Sequence, residues 1–172
     1  MNFYFDRLFI RRQEAHHLAN QLHLRQAKLT DVDLIFEWSN DQLVRQQSFN
    51  SDVIVYEPHC EWFTHKLNDK NSLLSILESD NKPASFLRID IKANNATIGV
   101  LTAPEFRGKG LASVFIQKGV AEYFKSNSLP ILASIKKQNI ASIKSFEKAG
   151  FSYLRDEEIN QIDSVVYQII KK

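Results

Sequence analysis

The sequence contains few of the residues that build disulfide frameworks or flexible linkers. Its 172 residues include one cysteine, four prolines and five glycines. Because Cys60 stands alone, an internal disulfide is excluded and we expect a reducing compartment, the cytoplasm. No apolar run approaches the roughly 20 residues of a membrane span, and the charged N-terminal segment does not resemble a signal peptide. We therefore expect a cytoplasmic protein with no membrane partner.

The chain also has little excess of charge of either sign. The formal net charge is +2, with 44% hydrophobic and 24% charged residues, which is typical of a globular protein. So small an excess predicts no nucleic-acid partner. The spacing of His59 and His65 matches no common metal motif, so we predict no metal.

The hydrophobic pattern predicts one mixed sheet with helices on both faces, an α/β fold. Residues 1–21 are expected to form a helical N-terminal extension, and residues 22–172 the domain itself. Predicted strands cover residues 23–27, 72–78, 84–91, 96–102, 130–135, 151–154 and 163–170. Predicted helices begin near Thr30, Asn40, Pro58, Leu111 and Asn139. In the second half of the chain predicted helices and strands alternate without a linker between them, which favours one domain.

A glycine-rich turn lies between the strand at 96–102 and the helix that follows. It reads Arg107-Gly108-Lys109-Gly110-Leu111-Ala112. Such a turn exposes backbone N–H groups at the positive end of a helix, which suits a phosphate or pyrophosphate group. A surface turn that uses glycine only for positive φ is the alternative interpretation.

A second motif decides between these two interpretations. The sequence from Asn139 to Phe151 predicts a helix that ends at Gly150, with Phe151 directly after it. Together with the spacing R-x-x-G-x-A at 107–112, it closely resembles the GNAT superfamily of N-acetyltransferases over about residues 22–170. The resemblance implies acetyl-CoA as donor, with its pyrophosphate on residues 107–112. It also implies a pantetheine arm along Leu101 and Thr102, facing Asn139, Ser142 and Phe146.

The acceptor is expected to contact the first third of the chain. This part of the chain resembles the subgroup that acetylates UDP-linked 4-amino-4,6-dideoxy sugars, as in pseudaminic acid synthesis. The motifs that carry the resemblance are Trp38-Ser39-Asn40-Asp41, Val44-Arg45, Ser48-Phe49 and His59-x-x-Trp62-Phe63. Trp38 would then pack on the uracil or sugar, Arg45 would pair with the diphosphate, and His59 would contact phosphate. Trp62 and Phe63 are more typical of core residues.

The expected chemistry is direct attack of the sugar amine on the thioester. Backbone N–H groups at the end of the 96–102 strand are expected to stabilise the oxyanion. Phe146 occupies the position where the family often has a tyrosine acid, so Ser142 or a water is expected instead. His59 and Asp90 are the candidate bases.

Other functions remain open at this point. Relatives that acetylate protein N-termini or polyamines share the early strand and helix, and an acidic patch would favour a polyamine. A degenerate CoA-binding module is a third interpretation, since Phe146 replaces the tyrosine. The protein is expected to be a monomer or homodimer.

Overall fold

A computed structural model describes residues 22–172, so the extension expected at 1–21 lies outside the described residues. Seven strands form one sheet in the order β1-β2-β3-β4-β5-β7-β6. Neighbouring strands are antiparallel except β4 and β5, which are parallel. The strands are β1 Leu22–Gln26, β2 Ser72–Ser79, β3 Lys82–Ile91, β4 Ala96–Thr102, β5 Ile131–Lys136, β6 Ser152–Ile159 and β7 Ile162–Ile169. The predicted α/β fold with a mostly antiparallel sheet is confirmed.

Five α-helices connect these strands within residues 22–172. They are α1 Val32–Asn40, α2 Gln42–Gln47, α3 Tyr56–Asn68, α4 Ala112–Ser126 and α5 Ile140–Lys148. The ends follow capping chemistry: Asp41 caps α2 through Leu43 and Val44 N–H, and Gly150 takes φ +99° after α5. None of the helices in this part of the chain is long and apolar enough to cross a membrane.

Two adjacent residues of β3 show that helices cover both faces of the sheet. Phe86 packs against Phe63 of α3, with ring centroids 6.4 Å apart. Leu87 lies directly below Gly119 of α4, where a built Cβ would come within 2.3 Å of the Leu87 side chain. Because successive side chains of a strand point to opposite faces, α3 and α4 cover opposite faces. Central β3 is therefore buried on both sides.

Two tight hairpins set the register of the outer strands. Asp80 and Asn81 join β2 to β3 with φ of 52° and 61°. Asn160 and Gln161 join β6 to β7 with φ of 51° and 63°. Positive φ at both central residues matches the twist of flanking strands. The second hairpin extends β6 to Ile159, five residues beyond its predicted end.

The only parallel pair in the described sheet separates soon after it forms. β4 and β5 pair at Ala96 with Ile131 and at Thr97 with Leu132, and no further. Beyond these positions the two strands diverge while each stays paired with its other neighbour. The divergence opens a fork at the carboxyl ends of both strands, which positions the site.

Candidate active site

The fork between β4 and β5 opens into a cleft of about 1030 Å³. One wall carries the loop and helix that follow β4, and the other carries β5 and the start of α5. The mouth is formed by α2 and α3 from the first third of the chain. The two motifs and the acceptor region that the sequence singled out therefore meet in one cleft.

The glycine turn supplies free backbone donors to this cleft. Gly108 and Gly110 have φ of 71° and 74°, and a Cβ built on either meets nothing within 4 Å. The N–H groups of residues 108–111 donate to no other described residue. Helix α4 begins next at Ala112, and its cap Leu111 makes no side-chain cap bond. The turn thus presents unpaired N–H groups and helix-dipole charge to open space, which fits a pyrophosphate.

Arg107 holds the turn in place and has one nitrogen left over. Its Nε donates to Thr102 O at 3.0 Å, and its Nη1 donates to Asp41 Oδ1 at 2.9 Å. Its Nη2 is buried without a hydrogen-bond partner among residues 22–172. A buried guanidinium nitrogen is costly to leave unpaired, and a phosphate oxygen would satisfy it. This orphaned donor is a second observation that fits the pyrophosphate of acetyl-CoA.

The open edge of β4 supplies further backbone donors. Ala103 N–H donates to Ala84 O on β3, and Ala96 N–H donates to Pro130 O beside β5. Along an antiparallel strand, backbone groups alternate between the two sides. The N–H groups of Val100 and Thr102 therefore point into the fork. Leu101 and Thr102 line the cleft, where the resemblance places the pantetheine arm.

The start of α5 forms the opposite wall. Asn139 caps the helix, with its Oδ1 accepting the Ser142 N–H at 3.1 Å. Asn139, Ser142 and Phe146 all line the cleft, and they lie on one side of this short helix. The Ser142 hydroxyl has no partner among the described residues, whereas the Phe146 ring is 5% exposed and packs edge-on against Phe151. Of Ser142 and Phe146, only Ser142 carries a group that can donate a hydrogen bond; the hydroxyl of Ser145, which also lines the cleft, already donates to Ala141 O.

The electrostatics of the cleft are one-sided. Within residues 22–172, no aspartate or glutamate lines it. Four cationic side chains do: Arg45, Arg88, Arg107 and Lys136. Arg88 also lies over the ring of Trp62, 5.4 Å from its centroid, at the mouth. Such a lining favours a ligand that carries negative charge.

Arg45 lies in this lining but is mostly committed to the protein. Its Nε donates to Ser39 O at 2.6 Å, and Nη1 donates to Asn50 O and Asp52 O at 3.2 Å each. Nη2 donates to Ser48 Oγ at 3.0 Å. An arginine has five N–H donors, so one remains for a ligand. The main role of Arg45 in this structure is to fasten the loop after α2.

His59 of α3 lines the cleft on the side that comes from the first third of the chain. It is 3% exposed among the rings of Phe36, Trp62 and Phe63, and its Nε2 is 3.2 Å from Val32 O. Burial lowers the pKa of His59 although the Val32 carbonyl opposes this, so the imidazole is neutral near pH 7. We assign the Nε2–H tautomer from the Val32 contact, which leaves the lone pair on Nδ1.

Three predicted site residues do not line the cleft. Trp38 is 6% exposed and packs in the hydrophobic core, because α1 turns it inward. The Lys109 side chain lies over the Phe106 ring, 5.4 Å from its centroid, so only its backbone belongs to the turn. The expected contact of the Trp38 side chain with the acceptor and that of the Lys109 side chain with the cofactor are therefore corrected, because neither side chain lines the cleft.

Asp90 is the third. It receives hydrogen bonds from Lys66 Nζ and Ser72 Oγ at 2.8 Å each and pairs with Arg88 Nε at 2.9 Å. Burial acts to raise the pKa of Asp90, but the Lys66 hydrogen bond and the Arg88 charge outweigh it and lower the pKa. A carboxylate held in this way outside the cleft is a poor proton acceptor, which corrects its expected role as base.

Sequence reasoning missed Arg88 and Lys136. The alternation of β3 places Arg88 on the same face as Phe86, and that of β5 places Lys136 on the same face as Leu132. A charged residue within a strand or at its end is an ordinary feature, so the available signal was the alternation of side chains along each strand.

Comparison with known proteins agrees with this geometry. Residues 21–152 match the family model described as "Acetyltransferase (GNAT) domain". The chain belongs to the GNAT acetyltransferase family. Membership confirms the fold, the enzyme class and the acetyl-CoA cosubstrate that the two motifs predicted for this domain.

Individual relatives are distant. An uncharacterized N-acetyltransferase, YfmK of Bacillus subtilis (strain 168), is 28% identical over 98 residues, which are 57% of this chain and 66% of that protein. Because the match spans just under two thirds of this relative, the activity and acceptor of the whole protein are proposals.

Solved structures share the fold at low identity. Spermidine N-acetyltransferase from Vibrio cholerae in complex with CoA and spermine has a TM-score of 0.80 and 18% identity, covering 88% of this chain and 96% of that one. AAC(6')-Ib in complex with ribostamycin and coenzyme A has a TM-score of 0.77 and 16% identity, covering 88% and 94%. These neighbours establish the fold of the chain and leave its acceptor open.

Proposed function

We propose that this protein transfers acetyl from acetyl-CoA to the amino group of a nucleotide-linked amino sugar, of the UDP-4-amino-4,6-dideoxy sugar type. The observation that carries the proposal is the charge of the cleft. Four cations line it and no carboxylate of residues 22–172 does. Arg107 and Arg88 are paired with Asp41 and Asp90 outside the lining, whereas Arg45 and Lys136 form no ion pair among the described residues. A nucleotide sugar offers both an amine to acetylate and a diphosphate that such a lining attracts.

The same observation argues against the polyamine alternative. A polyamine carries several positive charges, so its recognition needs acidic groups near the amine. Two acidic residues that contact lining residues are already committed, Asp41 to Arg107 and Asp90 to Lys66 and Arg88. An anionic acceptor is therefore the better match, although some structural neighbours bind polyamines or aminoglycosides.

In this mechanism the protein positions the amine and stabilises developing charge. Acetyl-CoA supplies the thioester, whose carbonyl the neutral acceptor amine attacks while the C–S bond breaks. The N–H groups of Val100 and Thr102 point into the fork, and we assign Val100 N–H to the carbonyl oxygen as negative charge develops there. A fixed backbone donor is suited to this task because it needs no reorganisation during the reaction.

Two side chains are assigned to the remaining steps, His59 to proton transfer and Ser142 to stabilising the leaving group. The neutral His59 has a free lone pair on Nδ1 and accepts the proton that the amine loses, directly or through a water. The free hydroxyl of Ser142 donates a hydrogen bond to the departing thiolate, which Phe146 cannot do, and the thiolate then takes its proton from solvent. A thiol of pKa about 8.5 needs only modest help in leaving, so this second contribution is small.

The test is an acceptor panel on the purified full-length chain. We expect release of CoA thiol and a gain of one acetyl group, by mass spectrometry, on a UDP-4-amino-4,6-dideoxy sugar. The value of kcat/KM should exceed that for spermidine by at least about tenfold, the effect of one charge-assisted contact. Turnover of spermidine or of a peptide N-terminus without turnover of the UDP sugar would exclude the proposed acceptor.

A further inference from the structure

Lys136 is a buried cation at the end of β5. The residue is only 7% exposed, and its side chain is on the cleft-lining face of β5 together with Leu132 and Ser134. Its Nζ donates to Gln46 O in α2 at 2.8 Å, across 90 residues of sequence. Because α2 forms the mouth of the cleft, this contact places the ammonium on the acceptor side.

This ammonium has no counter-ion in the described structure. None of the ion pairs among residues 22–172 includes Lys136, and a carbonyl is its one hydrogen-bond partner. A lysine has three N–H donors, so two remain. A buried charge is costly unless an opposite charge accompanies it. By contrast, Arg107 and Lys137 both have carboxylate partners.

A neighbouring group extends this environment. Ser134 is two residues away on the same face of β5, and its hydroxyl has no partner among the described residues. A cation with two free donors beside a free hydroxyl suits the oxygens of an anionic group.

We propose that Lys136, assisted by Ser134, forms an anion subsite that binds the diphosphate of the acceptor and selects acceptors that carry one. The inference rests on the proposed function for the identity of the acceptor. The subsite itself rests on the burial and missing counter-ion of Lys136. It is separate from the glycine turn, which is assigned to the pyrophosphate of acetyl-CoA.

The experiment measures anion binding without turnover. Full-length protein is first saturated with CoA to fill the donor site, and UDP and inorganic pyrophosphate are then titrated by calorimetry. We expect both to bind the wild-type protein, and Lys136→Met to weaken binding by at least about tenfold, since two charge-assisted hydrogen bonds are lost. Lys136→Arg keeps the charge and should recover part of the affinity.

A matched control removes the neighbouring charge. Lys137→Met deletes an exposed lysine whose side chain pairs with Asp156 outside the cleft, and it should bind UDP like wild type. Melting temperatures of all variants, with and without CoA, show that each is folded. If Lys136→Met does not fold, the Lys136→Arg and Ser134→Ala variants still test the subsite, because each should shift the affinity for UDP.

Kinetics then separate this subsite from the proposed function. With the UDP-amino sugar, Lys136→Met should raise KM for the acceptor and leave KM for acetyl-CoA unchanged, whereas the methyl glycoside of the same amino sugar should show no such change. UDP binding that depends on Lys136, without acetylation of the UDP sugar, would support the subsite and reject the proposed acceptor. Absence of UDP and pyrophosphate binding to the CoA-saturated protein, or equal binding by Lys136→Met, would overturn the subsite.

Discussion

Arg107 Nη1 donates to Asp41 Oδ1 at 2.9 Å, joining two residues that are 66 positions apart in sequence. The same Asp41 oxygen accepts the N–H groups of Leu43 and Val44 and so begins α2. The contact therefore ties the helix at the mouth of the cleft to the turn assigned to the cofactor pyrophosphate. The acceptor and donor sides share one carboxylate.

The first prediction separates the two tasks of Asp41. Asp41→Ala removes the cap and the ion pair and should lower the free energy of unfolding by about 1 kcal/mol or more. Asp41→Asn keeps a good capping oxygen and loses only charge, so it should cost less than half as much. Urea denaturation of both variants measures this difference. Equal losses would show that the ion pair, and not the cap, determines the stability.

The second prediction concerns the glycine turn. Gly110→Val places a β-branched side chain at φ 74° in the open space of the cradle. We expect the Kd for acetyl-CoA to rise at least about tenfold, because close approach of the phosphate oxygens is blocked. Asn81→Val is the control, since it imposes similar backbone strain at φ 61° in the distant β2–β3 hairpin. Calorimetry that finds the same Kd for both variants would contradict the assignment.

Arg45 is predicted to act mainly through stability. Arg45→Met leaves the carbonyls of Ser39, Asn50 and Asp52 without their donor. Losing these hydrogen bonds should lower the free energy of unfolding by about 2 kcal/mol. The effect on acceptor KM should be smaller than that of Lys136→Met. A large change in acceptor KM at unchanged stability would instead identify Arg45 as a substrate contact.

The pH dependence of stability should reveal His59. Its pKa in the folded protein lies below the ordinary 6.5, so the unfolded chain takes up the proton first as pH falls. The stability associated with the neutral ring is fully present above pH 6.5 and is lost as pH falls through the lowered pKa. His59→Phe should flatten this decline in melting temperature below pH 6.5. An unchanged decline would assign it to other groups.

Ser142 is predicted to contribute modestly to catalysis. Ser142→Ala should lower kcat by no more than about tenfold at pH 7, with little change in KM, since a thiolate of pKa about 8.5 leaves readily. The loss should be similar at every pH, because the hydroxyl stabilises the departing thiolate through a hydrogen bond and keeps its own proton. Ser145→Ala is the comparison, because its hydroxyl already donates to Ala141 O. A kcat for Ser142→Ala equal to that of Ser145→Ala would show that Ser142 does not contact the leaving sulfur.

The sequence predicted the elements around the cofactor well. The β4 strand matches its predicted bounds, and Gly150 ends α5 as expected, because strand alternation and caps are local properties. The turn between β6 and β7 was missed, since the charged run at 155–158 obscures the strand pattern that precedes Asn160 and Gln161. The same local reasoning located residues 107–112 as a phosphate cradle, and the geometry of the two glycines fits that use.

The acceptor side was harder to predict because its residues come from separate elements. Trp38 is found in the core, Asp90 is neutralised by Lys66 and Arg88, and Arg45 is held by carbonyls. Each of these outcomes depends on partners that are far apart in sequence. A side chain's partners determine whether it is free to bind a ligand, and local patterns do not contain that information.

The sequence by itself determined the family, the order of helices and strands, and the position of the glycine turn that we assign to the cofactor phosphates, because these depend on local motifs, on short-range periodicity and on glycine conformation. Tertiary structure alone decided the charge of the cleft. Only when β5 is placed beside α2 does Lys136 become a buried cation without a counter-ion, and only the fold brings Asp41 to Arg107. Electrostatics act between groups that are close in space, so the chemistry of the acceptor side follows from the folded arrangement.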